Sequence, residues 1–385
     1  MSTSQLSATE SAPKLAIALG GGGARAAYQA GVLRGIAARF PELATPILTG
    51  VSAGGLNVSF LANHLGTFRQ KVDDLARLWE SLDFSDVFEV RPAQLMWQAA
   101  RVGMRLSIGM PPGIPRAAGM VNTEPLRQFL QRSLGAVDGQ LPGIAQNLAA
   151  GRLQAVALTA LNYATGESVT FVEGRAITAW ERPLRKSVST SLTVEHTMAS
   201  AALPLLFPPV QIGEDWYGDG GIRLVAPLAP AVHLNPDRLL VISTHYDFPA
   251  ETPVQRKSTL PPSPAVVLGA MYNAVFLDQL DQDVLQMHRI NALVRKLPPQ
   301  ERLGLREIGT VVIRPSRDIG KLANRFEDKL PRMFRYLMRR FGSRETNDQD
   351  FISTVMFQRD YIAELLALGE LDATQQMDHI EAQLR

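Results

Sequence analysis

Short unbroken apolar runs alternate with helically spaced apolar positions along the N-terminal part of the chain. The run at 14–19 predicts a strand, and the apolar spacing over 25–39 predicts a helix after an intervening glycine cluster. A second run at 46–49 is followed by another helical pattern over 54–65. This alternation of strand, turn and helix is typical of a parallel sheet covered by helices.

Later apolar runs extend the predicted sheet, and the C-terminal part of the chain is predicted to be helical. The further predicted strands lie at 153–161, 168–172, 238–244 and 310–314. From Lys321 onward the spacing is helical throughout. We therefore predict an α/β fold with a central, mostly parallel sheet and a C-terminal helical extension. The predicted organisation is a flexible tail at 1–13, an α/β domain at 14–320 and a helical region at 321–385.

Composition narrows the classes of function. The chain has 385 residues, 46% of them hydrophobic and 20% charged, which is enough apolar material for a large core. A net charge of +2 is too small to indicate a nucleic-acid partner. The absence of cysteine excludes disulfides, thiolate metal sites and a cysteine nucleophile.

The first thirteen residues are polar and lack the basic and apolar regions of a signal peptide. No stretch of 18 consecutive apolar residues occurs, so no transmembrane helix is expected. We therefore expect a cytoplasmic or membrane-peripheral protein.

A candidate nucleophile follows the second predicted strand, in the sequence Gly50-Val-Ser-Ala-Gly54. The Gly-x-Ser-x-Gly spacing is that of a nucleophile elbow, in which small flanking residues permit a sharp turn from strand to helix. The hydroxyl of Ser52 would then project from the strand end, beside a helix N-terminus that favours negative charge. The alternative is a glycine-rich turn with an incidental serine.

Four consecutive glycines, residues 20–23, end the first predicted strand and open a helix; we call them the glycine loop. Bare amides at a helix start suit a phosphate, and the spacing from Gly21 to Ala26 loosely resembles a dinucleotide fingerprint. No acidic residue for a ribose ends the next strand near 45–50. The same amides suit a tetrahedral oxyanion, and the sequence favours that role.

A serine nucleophile needs a base, and two kinds of residue qualify. Of the six histidines, His245 is best placed, because it ends the strand predicted at 238–244. Asp219 lies between glycines in Gly218-Asp-Gly-Gly221, a pattern that predicts a tight turn. A carboxylate serves as a general base when partial burial raises its pKa. The alternative for Asp219 is an ordinary surface turn.

Taken together, these motifs resemble the patatin-like phospholipases, a family of serine acylhydrolases with a Ser–Asp dyad. The glycine loop, the serine elbow, the segment 199–210 and the Asp-Gly-Gly turn occur in the family's order within residues 14–245. The resemblance implies hydrolysis of acyl esters in phospholipids or related lipids, without a metal or cofactor. The residues that it implicates are Ser52 and Asp219 as the dyad, Gly21, Gly22, Gly23 and Arg25 around the oxyanion hole, Gly50 and Gly54 at the elbow, and Gly220 and Gly221 at the dyad turn.

Two positions depart from the family pattern. Ala26 stands where the family often has glycine, which alters little because alanine favours helix. Val225 stands where the family tends to have asparagine, which removes a side-chain hydrogen bond near the Asp219 turn. Acyl transfer to an acceptor other than water, a catalytically silent lipid-binding protein and a nucleotide-binding protein remain as alternatives.

The segment 325–344 carries seven basic residues beside an apolar stripe that starts at Leu330. This pattern predicts an amphipathic helix that lies on an anionic membrane or, alternatively, packs its stripe on the protein. Trp97, Met104 and Met110 are candidates for lining an acyl-chain entrance, or for the core. The sequence leaves the oligomeric state open.

Overall fold

A ten-stranded sheet runs through the computed structural model, which describes residues 13–89, 121–204, 206–246, 278–330, 335 and 349–384. Its main strand order is β10-β9-β1-β2-β3-β4-β6-β5, and the hairpin of β7 and β8 joins it through β3. The strands are β1 (Leu15–Leu19), β2 (Ile47–Val51), β3 (Ala155–Asn162), β4 (Ser168–Gly174), β5 (Glu181–Arg182), β6 (Arg185–Ser189), β7 (Val210–Ile212), β8 (Asp215–Asp219), β9 (Arg238–Ile242) and β10 (Gly309–Ile313).

Helices cover both faces of this sheet. The α-helices are α1 (Ala27–Arg39), α2 (Ala53–Asn63), α3 (Phe68–Ser81), α4 (Phe84–Val87), α5 (Glu124–Ser133), α6 (Pro142–Ala149), α7 (Val194–Ser200), α8 (Ala229–His233), α9 (Asp278–Lys296), α10 (Ile319–Ala323), α11 (Gln349–Thr354), α12 (Arg359–Gln375) and α13 (Met377–Leu384). Short 3₁₀ helices span Gly23–Ala26, Gly220–Arg223, Pro299–Glu301 and Asn324–Lys329. No helix in the described ranges is both long and apolar enough to cross a membrane.

The five neighbouring strands from β10 to β3 are all parallel. Every residue of β1 is buried, and its side chains alternate between two apolar clusters on opposite faces of the sheet. Burial on both faces explains why β1 is an unbroken apolar run, as strands of covered parallel sheets are. The predicted α/β fold with a mostly parallel sheet is confirmed.

Two strands share one edge of β3, and this arrangement positions the candidate site. β4 pairs with one edge of β3 from Ala155 to Leu161. On the other edge, parallel β2 covers β3 up to Thr159, and antiparallel β8 takes over from Ala160. β2 and β8 therefore run toward each other and end at adjacent residues of β3.

The predicted strands of the parallel core and β4 all form, with boundaries that shift by one or two residues. The four strands β5 to β8 were not predicted. β5 and β6 are short and polar, so no apolar run distinguishes them from a loop. The sequence also predicts a surface loop at 249–264 and a helix at about 265–292. The loop lies outside the described residues, and the helix is described only from Asp278, where α9 begins.

The C-terminal helices pack on the same core as the sheet. α12 crosses α1 so closely that a Cβ on Gly31 or Gly369 would collide with backbone atoms of the other helix. The Tyr28 hydroxyl on α1 donates a 2.9 Å hydrogen bond to the buried carboxylate of Asp372 on α12. The boundary predicted at residue 321 stays a prediction.

The predicted basic helix at 325–344 is described only at its start. Asn324–Lys329 is a 3₁₀ helix, and both Phe326 and Leu330 are buried in the core. Apart from Arg335, residues 331–348 lie outside the described part, as do Trp97, Met104 and Met110. Membrane contact through this segment stays a prediction.

We expect Gly369→Ala to lower the free energy of unfolding by about 1–3 kcal/mol, as overpacking typically does. The added methyl group would lie 2.7 Å from the Val32 backbone nitrogen and closer still to the Tyr28 carbonyl oxygen. The gain of about 1 kcal/mol from placing alanine in a helix offsets only part of this cost. Denaturant unfolding followed by circular dichroism measures the change. Leu371→Ala, on the same helix with 43% of the residue exposed, is the control; an equal or higher stability for Gly369→Ala would contradict the close packing.

Candidate active site

Ser52 occupies a strained turn between β2 and α2. Its backbone has φ 55° and ψ −134°, a region that residues with a side chain rarely adopt and that costs on the order of 1–3 kcal/mol. A Cβ on Gly50 would lie 2.5 Å from the Gly54 carbonyl oxygen. A Cβ on Gly54 would collide with the carbonyl oxygens of Leu19 and Gly20. The flanking glycines thus permit the sharp turn that the sequence pattern predicts.

Ser200 fixes the elbow from the neighbouring helix α7. The Ser52 amide donates a 3.1 Å hydrogen bond to Ser200 Oγ, and the Ser200 hydroxyl donates a 2.7 Å bond to the Thr159 carbonyl. Both bonds are buried, so the strained amide has a partner in the core. Sequence reasoning assigned Ser200 no role, although it lies in the segment 199–210 that resembles the family.

Asp219 is the last residue of β8 and is fully buried. The sequence predicted a tight turn here; the residue itself ends a strand, and the turn follows as the 3₁₀ helix Gly220–Arg223. Its amide donates to the Ala202 carbonyl at 3.0 Å, and its Oδ1 accepts a 2.8 Å hydrogen bond from the Gly221 amide. A Cβ on Gly220 would collide with the Thr159 carbonyl, so glycine is required there too.

Burial raises the pKa of Asp219 from its ordinary value of 3.8 to about 7, while the nearby Ser52 hydroxyl and the Gly221 amide hold the rise back. Among the described residues, no group forms a regular hydrogen bond with the buried Oδ2. The serine hydroxyl therefore lies near a carboxylate that has a free acceptor atom and a pKa close to neutral. That combination suits a general base.

The glycine loop lies beside the serine. A Cβ on Gly21 would lie 3.0 Å from Ser52 Cβ and 3.5 Å from its Oγ. Gly22 and Gly23 have φ values of 147° and 55°, which glycine adopts readily. The Thr244 hydroxyl donates a 2.7 Å hydrogen bond to the Gly21 carbonyl and fixes the loop from the end of β9. Thr244 is a second residue that no motif in the sequence indicated.

Arg25 and Ala26 follow the loop and are both buried. The Arg25 Nε donates a 2.6 Å hydrogen bond to Ser353 Oγ, and the Ala26 carbonyl accepts one of 3.1 Å from Asn57 Nδ2. Ala26 has no exposed surface, so the methyl group fits inside the core. Val225, the other departure from the family pattern, is 66% exposed, and its amide donates to the Arg223 carbonyl.

An apolar pocket opens beside Ser52 and Gly23. Side chains from α2, α3 and α5 line it, together with residues that follow α7 and α11. Its larger lining side chains are Leu56, Trp79, Leu82, Leu126, Leu203, Phe207 and Phe357. The reactive end of the site is therefore polar, and the adjoining space is apolar.

A family model described as patatin-like phospholipase matches residues 17–232, more than half of the chain. The chain belongs to the patatin-like phospholipase family. The matched range contains the glycine loop, the Ser52 elbow and the Asp219 turn. A comparison with curated proteins finds no match.

A comparison with solved structures gives matches at low sequence identity. VipD from Legionella pneumophila is 13% identical with a TM-score of 0.36, over 92% of this chain and 67% of VipD. Human GIVD cytosolic phospholipase A2 is 13% identical with a TM-score of 0.44, over 97% of this chain and 60% of that protein. The type III effector ExoU, from Pseudomonas aeruginosa, is 15% identical with a TM-score of 0.32, over 94% of this chain and 54% of ExoU. The chain thus spans less than two thirds of the length of the last two proteins.

His245, the alternative base in this patatin-like chain, contacts a different carboxylate. Its Nδ1 lies 3.1 Å from Asp281 Oδ2, and Arg314 donates to Asp281 Oδ1 at 2.6 Å. The residues around Ser52 therefore favour Asp219 as its partner.

Within the described ranges, no three His, Asp or Glu side chains are grouped as a metal site.

The raised pKa of Asp219 makes the stability of the protein depend on pH. Between pH 3.8 and about 7 the folded state retains a proton that the unfolded state has lost, so stability falls as the pH rises. The slope for one such group is about 1.4 kcal/mol per pH unit. We expect Asp219→Asn, which cannot titrate, to be more stable than the wild type at pH 8, with the difference vanishing toward pH 4. Thermal unfolding at a series of pH values measures this. Asp215→Asn, at the half-buried start of β8, is the control; the same pH trend in both variants would contradict the assignment.

Proposed function

We propose that the protein is a serine acylhydrolase that cleaves acyl esters of phospholipids or related lipids through Ser52 and Asp219. Membership in the patatin-like phospholipase family supports an enzyme that acts on lipid esters. The observation that carries the finer proposal is the meeting of β2 and β8 on one edge of β3. It brings an elbow serine and a buried carboxylate together beside the glycine loop.

In the proposed first step, Asp219 takes the hydroxyl proton of Ser52 while the serine oxygen attacks the ester carbonyl carbon. The tetrahedral intermediate collapses to an acyl-serine, and the departing alcohol takes the proton from Asp219. Asp219 then takes a proton from water, which attacks the acyl-serine and releases the fatty acid. The proton returns to Ser52, so both residues end the cycle as they began it.

The proposed oxyanion hole consists of amides around Gly21, Gly22 and Gly23. Gly21 approaches Ser52 without a side chain between them, and the chain enters a 3₁₀ helix at Gly23. Amides at such a point favour negative charge on the substrate oxygen. Loss of one such donor typically costs about 10²–10³ in rate. The role proposed for Arg25 is to support this loop from the buried side.

The apolar pocket beside Ser52 supports a substrate with a hydrocarbon chain. An acyl group in this pocket would bury apolar surface, at roughly 0.8 kcal/mol per methylene group, with its carbonyl at the serine.

Acyl transfer is the alternative reaction, and it uses the same acyl-serine and differs only in the acceptor. Product analysis by mass spectrometry, with and without added lipid alcohols, distinguishes a free fatty acid from a new ester.

We expect a fluorophosphonate probe to label the wild-type protein and to leave Ser52→Ala unlabelled, because the probe reacts with an activated serine. Intact-protein mass spectrometry measures the adduct, and peptide mapping locates it. Ser59→Ala, which removes another buried hydroxyl from α2, is the control and should label like the wild type. Folded wild-type protein that neither reacts with the probe nor hydrolyses a short-chain ester would refute the proposed function.

We expect Asp219→Asn to lose nearly all ester hydrolysis, because an amide cannot take the serine proton. The kcat/KM of the wild type should fall as the pH drops below about 7, where Asp219 becomes protonated. His245→Ala is the matched variant and should retain activity. Activity that survives in Asp219→Asn but is lost in His245→Ala would assign the base to the histidine instead.

A further inference from the structure

A short C-terminal segment, residues 353–357, contacts the candidate active site from outside the matched family range of 17–232. It comprises the last two residues of α11 and the next three, which lead toward α12. The Phe357 amide donates to the Val355 carbonyl at 2.9 Å, and the Gln358 side chain caps α12 by accepting a hydrogen bond from the Tyr361 amide. Since α12 packs tightly on α1, the segment has a fixed position in the fold.

One end of this segment contacts the glycine loop. The 2.6 Å hydrogen bond from Arg25 Nε to Ser353 Oγ is buried and joins residues 328 positions apart. A Cβ on Gly23 would collide with the Thr354 carbonyl oxygen, so the loop backbone packs directly on the segment. The loop has no side chains of its own between 20 and 23, and contacts of this kind determine where its amides lie.

The other end of the segment forms a wall of the apolar pocket. Thr354, Val355 and Phe357 line it together with Ser52. The Phe357 ring packs edge-on against Phe88, with ring centroids 6.3 Å apart. Phe357 is a large side chain on the pocket wall, so its size limits the space available for a bound chain.

We propose that residues 353–357 complete the active site. Ser353 is a positioning residue that acts through Arg25 on the glycine loop, and Phe357 determines which acyl-chain lengths fit the pocket. This inference rests on the proposed function, because it assigns roles in binding and cleaving an acyl ester. It adds two determinants that lie outside the family range and that no sequence motif indicates.

The positioning role is tested with Ser353→Ala and a short-chain ester that does not fill the pocket. We expect kcat to fall roughly tenfold with little change in KM, since small misplacements of a catalytic group cost up to about 10²-fold. Ser353→Thr keeps the hydroxyl and should restore most of the rate. Thr374→Ala removes an exposed hydroxyl from α12 and should behave like the wild type.

Combining Ser353→Ala with a substitution of Arg25 distinguishes a positioning role for Ser353 from a general loss of stability. In an Arg25→Lys background, which lacks the Nε–H that contacts Ser353, Ser353→Ala should reduce kcat little further. Wild-type kcat in Ser353→Ala, or full additivity of the two substitutions, would overturn the positioning role. So would a rate loss that follows the unfolding midpoint and is not rescued by threonine.

The pocket role is tested with Phe357→Ala and a series of esters that differ only in acyl-chain length. We expect the optimum of kcat/KM to shift to longer chains, because the truncated side chain leaves space at the wall. Phe68→Ala truncates a buried phenylalanine at the start of α3, outside the pocket lining, and controls for destabilisation. An unchanged chain-length optimum in Phe357→Ala, or the same shift in Phe68→Ala, would overturn this role.

Fluorophosphonate labelling of the wild type distinguishes failure of the proposed function from failure of this inference alone. If the wild-type protein reacts neither with the probe nor with esters, the proposed function fails, and this inference fails with it. If the wild type reacts through Ser52 but the 353–357 variants keep its kinetics and chain-length profile, the inference alone fails.

Discussion

The site depends on one constraint of the sheet, the division of a single β3 edge between two strands. β2 occupies that edge up to Thr159, and β8 occupies it from Ala160. Because the strands approach head to head, each must turn away sharply where they meet. Glycines at 50, 54 and 220 leave room for those turns, since a Cβ at any of them would strike backbone atoms. The backbone geometry thus places Ser52 and Asp219 next to each other before any side-chain interaction is considered.

The same constraint buries the carboxylate of Asp219, and burial makes the charged form of this group unfavourable. Asp219 lies at a strand end inside the core, where a serine hydroxyl and one glycine amide act on its charge. No ion pair with it occurs within the described ranges, so desolvation dominates and its pKa rises. A cation would stabilise the charged form and lower its basicity. The burial that reduces stability near neutral pH therefore also supports the role proposed for this carboxylate as the base for Ser52.

The sequence predicts those features in which the position of a residue within a strand or turn requires a particular residue type. The buried runs of β1, β2 and β9 are apolar because both faces of the parallel sheet are covered, so their pattern is visible along the chain. The glycines around Ser52 are equally visible. The hairpin of β7 and β8 was missed because pairing with β3, distant in sequence, makes these short segments strands. Ser200 and Thr244 were missed for a similar reason, since their roles arise only when α7 and β9 pack beside the elbow and the loop.

The glycine loop shows why a local motif does not make a complete site. Its missing side chains let the backbone approach Ser52, yet they also remove the groups that would hold that backbone in place. The neighbours supply the restraint: Thr244 binds the Gly21 carbonyl, and the backbone at Thr354 packs on Gly23. Ser353 restrains the buried side chain of Arg25. All three contacts come from beyond the matched family range, two of them from the end of α11, so the position of the loop in this chain depends on later residues that the motif does not include.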